Sequence, residues 1–165
     1  MNRLAATVFG VGLLRPAPGT WASALAVLLG LVLLRYAGFA VFAAATVGVT
    51  GLGFWACQTL LQGRPGADPS EIVIDEVAGQ WIALMFPATA FWWRGSEDWM
   101  PYPGWLAAFV FFRLFDIWKP WVIGWADRRQ DPAGVMLDDL LAGVFAGVAV
   151  VIAAGVAHGV MGVGG

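Results

Sequence analysis

A long uninterrupted apolar run dominates the first half of the chain. Residues 39–61 contain no charged side chain. A helix of about 20 apolar residues crosses the hydrocarbon core of a bilayer, so this run is long enough to span it. Inside a bilayer every backbone N–H and C=O must find a partner, and a helix satisfies them within one segment. The run therefore predicts a membrane-spanning α-helix.

The composition of the whole chain agrees with a membrane protein. Hydrophobic residues make up 60% of the 165 residues, and there are ten Trp and 22 Gly. Trp is enriched at membrane interfaces, and Gly is more frequent in membrane-spanning helices than in soluble ones. The predicted fold class is all-α, a polytopic membrane helical bundle in a single domain, residues 1–165. The alternative is a soluble protein with a buried helical core.

Four further apolar segments extend the pattern, namely residues 21–34, 72–92, 105–118 and 135–157. Together with 39–61 they predict about five membrane-crossing helices, although 21–34 is short for a span. The apolar segment 4–14 has about half the length of a span, so we expect a short N-terminal re-entrant or interfacial helix. It lacks a signal-peptidase site, so we expect it to stay in the mature chain.

Local signals predict where the helices begin. Thr20 is a suitable N-cap for the second segment, and residues 35–38 are typical of a turn. Residues 68–71 read Asp-Pro-Ser-Glu, which is typical of a capping box with proline at the first helical position. A helix that begins there carries Asp75 and Glu76 in its second turn.

Prolines and aromatic residues organise the second half of the chain. Pro87 should bend the third helix. Prolines at 120 and 132 predict breaks after Lys119 and at Asp131, with residues 121–127 running along the membrane surface between them. Five aromatic residues are expected to form an interfacial belt: Trp92, Trp93, Trp99, Tyr102 and Trp105.

Two look-alike stretches, residues 72–79 and 135–143, carry adjacent carboxylates. Each has three apolar residues, two acids, further apolar residues and an Ala-Gly step. Their four acids are Asp75, Glu76, Asp138 and Asp139. Following the predicted crossings, both stretches and the segment from Asp116 to Lys119 lie near the same membrane face. Most of the Arg and Lys residues fall on that face, so the positive-inside rule makes it cytoplasmic.

Unpaired carboxylates near a membrane are costly, at about 2.5–3.5 kcal/mol for one Asp at a helix centre. Five of them converge here: Asp75, Glu76, Asp116, Asp138 and Asp139. Arg113 and Lys119 neutralise at most two. A divalent cation would relieve the rest, and oxygen-rich sites suit Mg²⁺. We therefore expect these five acids to be metal ligands, with one of them instead serving as the catalytic base.

Structural roles compete with this interpretation. An acidic pair at a helix start interacts favourably with the helix dipole. Arg113 and Asp116 are three residues apart and could form an ordinary ion pair. Asp127 could cap a helix or pair with Arg128 or Arg129. Small residues one turn after the acids, Gly79 and Gly143, could serve helix packing or ligand approach equally well.

Phosphate fits such a site, because several predicted helix N-termini face the same side and favour anions. Thr20 and Ser23 could supply hydroxyls, and Arg113 and Lys119 could hold the phosphate. Other chemistries are poorly supported. His158 falls near the opposite face, which disfavours a Ser-His-Asp triad. Cys57 is the only cysteine, which excludes an intrachain disulfide. The charge of −2 gives no reason to expect nucleic-acid binding.

Four motifs together resemble the phosphatidylglycerophosphatase A family. They are residues 18–23 (PGTWAS), residues 68–79 with the Asp-Glu pair, residues 112–121 (FRLFDIWKPW) and residues 134–139 (GVMLDD) followed by Ala142-Gly143. The resemblance implies a Mg²⁺-dependent membrane phosphatase of phospholipid biosynthesis, which converts phosphatidylglycerophosphate to phosphatidylglycerol. From the composition, we expect the protein to lie in the bacterial inner membrane. Matching positions are Thr20, Ser23, Asp68, Asp75, Glu76, Arg113, Asp116, Lys119, Asp127, Asp138 and Asp139.

Three positions depart from the family pattern. Ala22 stands where a glycine is usual, and Val122 where a proline is common. Residues 130–133 replace a glycine-rich loop, which affects any backbone contact of that loop with phosphate.

Other functions stay open at this point. A different lipid-phosphate enzyme, such as a prenyl phosphate phosphatase or a phosphoalcohol transferase, could use a similar acidic site. A carboxylate-lined cation or proton carrier is the non-enzyme alternative. Metal number, oligomeric state and the path of the lipid are not predicted.

Overall fold

The computed structural model describes residues 2–62, 71–95, 99–129 and 131–161. Its regular elements, in chain order, are α1 (Asn2–Ala6), a 3-10 turn (Val11–Leu13), α2 (Pro18–Leu61), α3 (Ile74–Trp93), α4 (Gly104–Trp118), α5 (Trp121–Asp127) and α6 (Pro132–Met161). All are helical, which confirms the predicted all-α class.

Two of the described helices are long and apolar enough to cross a membrane. They are Pro18–Leu61, with a mean hydropathy of 2.2, and Pro132–His158, with 2.5. Neither α3 nor α4 meets that standard. The first turn of α3 carries two carboxylates, and the 15 residues of α4 give about 22 Å of helix, less than a bilayer core. The five-crossing topology stays a prediction.

Helix α2 contains two of the predicted apolar segments, 21–34 and 39–61, separated at Gly38. This glycine has φ 83° and ψ 171°, which only glycine adopts readily, so the helix is interrupted there. The ring of Phe42 lies beside Gly30, although twelve residues of straight helix would separate them by about 18 Å. The chain therefore folds back at Gly38, within the predicted turn.

The predicted start of α2 is wrong. The helix begins at Pro18 with Ala17 at the N-cap position, so Thr20 lies inside the first turn. Proline at the first helical position is favoured because its missing N–H would have no helical partner there. Thr20 is exposed and makes no side-chain hydrogen bond with the described residues.

The predicted start of α3 is also wrong. The helix begins at Ile74, so Asp75 and Glu76 lie in its first turn rather than its second. Asp68 and the rest of residues 63–70 lie outside the described residues. Glu71 lies before the first turn of α3, and its carboxylate pairs with Arg3 at 2.8 Å.

The predicted breaks around α5 are confirmed. Helix α4 ends at Trp118, and Lys119 follows in the left-handed region with φ 48°. Helix α5 occupies residues 121–127, as predicted, with Ile123, Gly124 and Ala126 buried. Trp121 and Trp125 are exposed.

Helix α6 begins three residues before the predicted position because Asp131 caps it. The carboxylate Oδ1 of Asp131 accepts the N–H of Gly134 at 2.7 Å. The other oxygen accepts a hydrogen bond from Arg129 at 2.7 Å, and both bonds lower the pKa of Asp131. Asp131, one of the residues that depart from the family's glycine-rich pattern, thus serves as the side-chain cap of α6.

We expect Asp131→Ala to lower the melting temperature by roughly 2–4 °C, since it removes the acceptor of the Gly134 N–H. Asp131→Asn keeps an N-capping oxygen and should melt close to the wild type. Thermal unfolding in detergent, followed by circular dichroism, measures both variants. Equal melting of Asp131→Ala and the wild type would show that the cap does not stabilise α6.

Helices α3 and α6 cross at the glycines of the two look-alike stretches. A Cβ atom on Gly79 would overlap the main-chain oxygen of Asp139. A Cβ atom on Gly143 would lie 3.1 Å from the Cα of Gly79 and would overlap its carbonyl oxygen. The two backbones therefore touch directly, one helical turn after Asp75 and Asp139. Of the two interpretations of these glycines, helix packing is the one that the structure shows.

A tightly packed core surrounds this crossing. Phe42, Leu84 and Phe112 are fully buried. Trp81 packs on Phe42, and its indole N–H donates to the carbonyl oxygen of Ala26 at 2.7 Å. Because Ala26 belongs to α2 and Trp81 to α3, this bond fixes the rotation of the two helices relative to each other.

Candidate active site

Three carboxylates from three helices meet beside the α3–α6 crossing. Glu76 lies in the first turn of α3, Asp116 in the last turn of α4, and Asp139 in α6. Each offers an oxygen within 4.8 Å of the other two. Asp139 is only 4% exposed, and the others are half-buried. The convergence of acids from three segments, predicted from topology, is found in the structure.

Arg113 joins two of these carboxylates. Its guanidinium forms an ion pair with Glu76 and another with Asp116 at 2.9 Å. The predicted ion pair between Arg113 and Asp116 is therefore present, but it belongs to a larger network. Because one guanidinium faces three carboxylates, the group keeps an excess of negative charge when all three acids are ionised.

Helix α2 contributes Ser23 and a glycine to the same group. Ser23 is fully buried, and its Oγ lies 2.7 Å from Glu76 Oε2 and 2.9 Å from the carbonyl oxygen of Gly19. Its single proton can be donated to either oxygen. A side chain at Gly19 would overlap the Glu76 carboxylate, so the start of α2 must approach closely. Thr20 makes no such contact.

Lys119 organises a second charged group. Its ammonium pairs with Asp127 at the end of α5 and with Asp138 in α6, the latter at 2.8 Å. Burial alone would lower the pKa of Lys119, but hydrogen bonds to the two carboxylates outweigh it, and the pKa is raised. Lys119 therefore stays charged at neutral pH.

Asp127 matches a position of the resembled family but was not among the expected metal ligands or phosphate contacts. The sequence left its role open between capping a helix and pairing with Arg128 or Arg129, and in the structure its carboxylate pairs with Lys119. The sequence holds no spacing signal for the observed pairing. Lys119 precedes α5 and Asp127 is its last residue, and the seven residues of this helix span about 10 Å.

Asp75 and Asp138 lie close to the three carboxylates without joining them. Asp75 is buried, accepts the N–H of Glu76 at 2.9 Å, and is near enough to Asp139 for their charges to interact. The Oδ1 atom of Asp138 is buried and has no hydrogen-bond partner among the described residues. The five predicted acids thus divide into three clustered carboxylates and two neighbours.

The donor set fits a hard divalent cation. Carboxylate oxygens are the ligands that Mg²⁺ prefers, and three of them are already gathered. The three carboxylates carry more negative charge than Arg113 neutralises, and Oδ1 of Asp138 has no partner among the described residues. Both features also favour a cation. Two anchored cationic side chains beside these acids suit a phosphate ester, whose oxygens accept charge-assisted hydrogen bonds.

Comparison with known proteins agrees with this chemistry. The family model described as phosphatidylglycerophosphatase A matches residues 4–154. A Haemophilus influenzae protein named phosphatidylglycerophosphatase A is 37% identical over 89% of this chain and 85% of its own. An Escherichia coli protein of the same name is 36% identical over 86% of this chain and 76% of its own.

A third relative carries a different name. A Bacteroides thetaiotaomicron protein described as "Putative phosphatidylinositol-3-phosphatase" is 35% identical over 91% of each chain. No solved structure gives a significant match.

Proposed function

The chain belongs to the phosphatidylglycerophosphatase A family and is a phosphatase, and on that premise we propose that it converts phosphatidylglycerophosphate to phosphatidylglycerol with Mg²⁺. The observation that carries the proposal is the group of three carboxylates beside Arg113. A phosphate monoester on a lipid carries negative charge that a bound cation and Arg113 can neutralise together.

Glu76, Asp116 and Asp139 would hold the cation. When bound, it supplies Lewis-acid activation of the attacking water and of the phosphoryl group. Asp75 and Asp138 lie beside this set, and either can accept the proton that the attacking water loses. Water oxygen forms the new bond to phosphorus, the ester bond to the lipid glycerol breaks, and the glycerol oxygen takes up a proton.

Arg113 and Lys119 would bind the phosphate. Both are fixed by carboxylates in the structure. Arg113 can turn one of its N–H groups from a carboxylate to a phosphate oxygen once a cation compensates that carboxylate. Ser23 can direct its hydroxyl proton to the same phosphate oxygens, and Thr20, exposed near the start of α2, can contact the ester from outside.

The proposed location is the bacterial inner membrane, with several crossings and the site facing the cytoplasm. The two long apolar helices support insertion in a membrane. The orientation rests on the distribution of Arg and Lys in the sequence. The proposed partners are the lipid substrate and the bilayer, without nucleic acid. The proposal is compatible with a monomer or an oligomer.

Phosphate release by the purified protein in detergent tests the function. We expect release from phosphatidylglycerophosphate in Mg²⁺, a loss of nearly all activity with a chelator, and recovery when Mg²⁺ is restored. Activity that persists after chelation would contradict the cation site.

A panel of lipids separates the rivals. Phosphatidylinositol 3-phosphate and a prenyl phosphate should release phosphate more slowly than phosphatidylglycerophosphate. Faster release from either would reassign the substrate. Cation flux in liposomes without any phosphatase activity would instead support the carrier.

A further inference from the structure

Gln80 is a buried amide that no part of the described chain satisfies. Its side chain is fully buried, and neither Nε2 nor Oε1 has a hydrogen-bond partner among the described residues. An amide in an apolar environment without partners costs about 1–3 kcal/mol by mutational measures. Buried polar side chains nearly always have a partner, so an unpaired one points to a missing ligand or water.

Gln80 lies on the same face of α3 as Glu76. The two residues are four apart, about 6 Å along the helix axis and about 40° around it. Glu76 faces Ser23 of α2 and Arg113 of α4. The helix geometry therefore places Gln80 as the next polar residue beyond Glu76, toward the middle of the apolar bundle.

The neighbouring polar groups do not bond to Gln80. Ser23, Glu76 and Arg113 bond to one another, and the Nε of Arg113 is, like the Gln80 amide, buried without a partner among the described residues. The neighbours of Gln80 in the chain, Gly79 and Trp81, pack against α6 and α2 respectively. An added group must therefore supply what Gln80 lacks. The nitrogen of the amide donates hydrogen bonds and its oxygen accepts them. A hydroxyl group both donates and accepts, so it can pair with the nitrogen and with the oxygen of Gln80.

The proposed substrate carries such a group. Its scissile phosphate is esterified to a glycerol that has one free hydroxyl, and that glycerol connects the phosphate to the acyl chains. In the substrate, one oxygen and one carbon separate the scissile phosphorus from the carbon that bears the hydroxyl. Gln80 follows Glu76 by one helical turn, about 6 Å along the axis, so with the phosphate at the carboxylates this hydroxyl comes within reach of the Gln80 amide.

We propose that the side-chain amide of Gln80 binds the free hydroxyl of the glycerol next to the scissile phosphate and selects glycerol-linked substrates. The inference rests on the proposed function and adds to it a residue that binds the alcohol part of the substrate rather than the phosphate. Sites that hydrogen-bond a substrate hydroxyl reject analogues without it, because their polar groups are then left unpaired.

The test pairs two lipids with two proteins. One lipid is phosphatidylglycerophosphate, and the other has 1,3-propanediol in place of that glycerol, so it lacks only the hydroxyl. The proteins are the wild type and Gln80→Met, which keeps the length of the side chain and removes its polar atoms. Circular dichroism and gel filtration in detergent report whether the variant folds.

For the wild type we expect kcat/KM for the glycerol lipid to exceed that for the propanediol lipid roughly ten- to hundredfold. In Gln80→Met this preference should disappear, because turnover of the glycerol lipid falls while turnover of the propanediol lipid hardly changes. A merely structural role of Gln80 would lower both lipids together.

Two results would overturn the inference while leaving the proposed function intact. One is equal turnover of both lipids by the wild type, which decides the matter even if Gln80→Met fails to fold. The other is a parallel loss on both lipids in the folded variant, as expected if Gln80 holds only a water. Release of phosphate from neither lipid by the wild type would overturn the proposed function itself, and the inference with it.

Discussion

Asp139→Asn should slow phosphate release at least about a thousandfold while the protein still folds and inserts. Asp139 is nearly fully buried and supplies one of three clustered carboxylates. An amide has the same shape but a single neutral oxygen to offer, so both the charge that attracts a cation and one of its ligands are weakened. Loss of several kcal/mol of transition-state stabilisation corresponds to about three decades in rate.

The same substitution should not lower the stability of the folded protein when Mg²⁺ is absent. Without Mg²⁺ the three carboxylates repel one another, and the substitution removes part of this repulsion. Asp139→Asn should therefore be at least as stable as the wild type in a chelator, and Mg²⁺ should stabilise it less. Thermal unfolding with and without Mg²⁺ measures both effects.

Asp131→Asn is the matched control. It makes the same chemical change on an acid that caps α6 outside the carboxylate group, so phosphate release should stay near the wild-type rate. Wild-type turnover by Asp139→Asn would remove this residue from the metal site.

Gly143→Ala is expected to have the largest effect on folding. The added methyl group would overlap the carbonyl oxygen of Gly79 and lie 3.1 Å from its Cα. Backbone atoms cannot rotate away as a side chain can, so α3 and α6 must separate. Overpacking of this kind costs about 1–3 kcal/mol or more. Thermal unfolding should show a lower melting temperature, and phosphate release should fall because Asp139 shifts with its helix.

Gly155→Ala serves as its control in the same helix. An added Cβ at Gly155 meets nothing within 4 Å, so the substitution brings only the higher helix propensity of alanine. We expect unchanged or slightly higher stability and normal activity. Equal melting of Gly143→Ala and Gly155→Ala would show that the two backbones do not touch at Gly143.

The sequence predicted the parts of the fold that local signals control. Apolar runs located α6 and both halves of α2, and prolines located the ends of α5. The predicted start of α3 was wrong, since the helix begins at Ile74. The N–H of Val73, just before it, donates to the carbonyl oxygen of Ala6 at 2.9 Å, a contact with a distant segment that local signals do not encode. Thr20 was misassigned because Pro18 begins the helix two residues earlier.

The candidate site divides in the same way. Crossing topology predicted that Glu76, Asp116 and Asp139 converge, and they do. Side-chain partners are a different matter, since they depend on packing to within a few ångströms. The pairing of Lys119 with Asp127 and the unpaired amide of Gln80 both result from how α5 and α3 pack on other helices.

The contact between Gly79 and Gly143 has a consequence for how quickly the site can respond to its substrate. No side chain separates the two backbones there, so main-chain contact holds the helices that carry Asp75, Glu76 and Asp139 close together. The entropy of arranging these acids is then lost during folding rather than at each turnover. A preorganised site of this kind needs little rearrangement during the reaction. The activation free energy is therefore lower, and the reaction is faster.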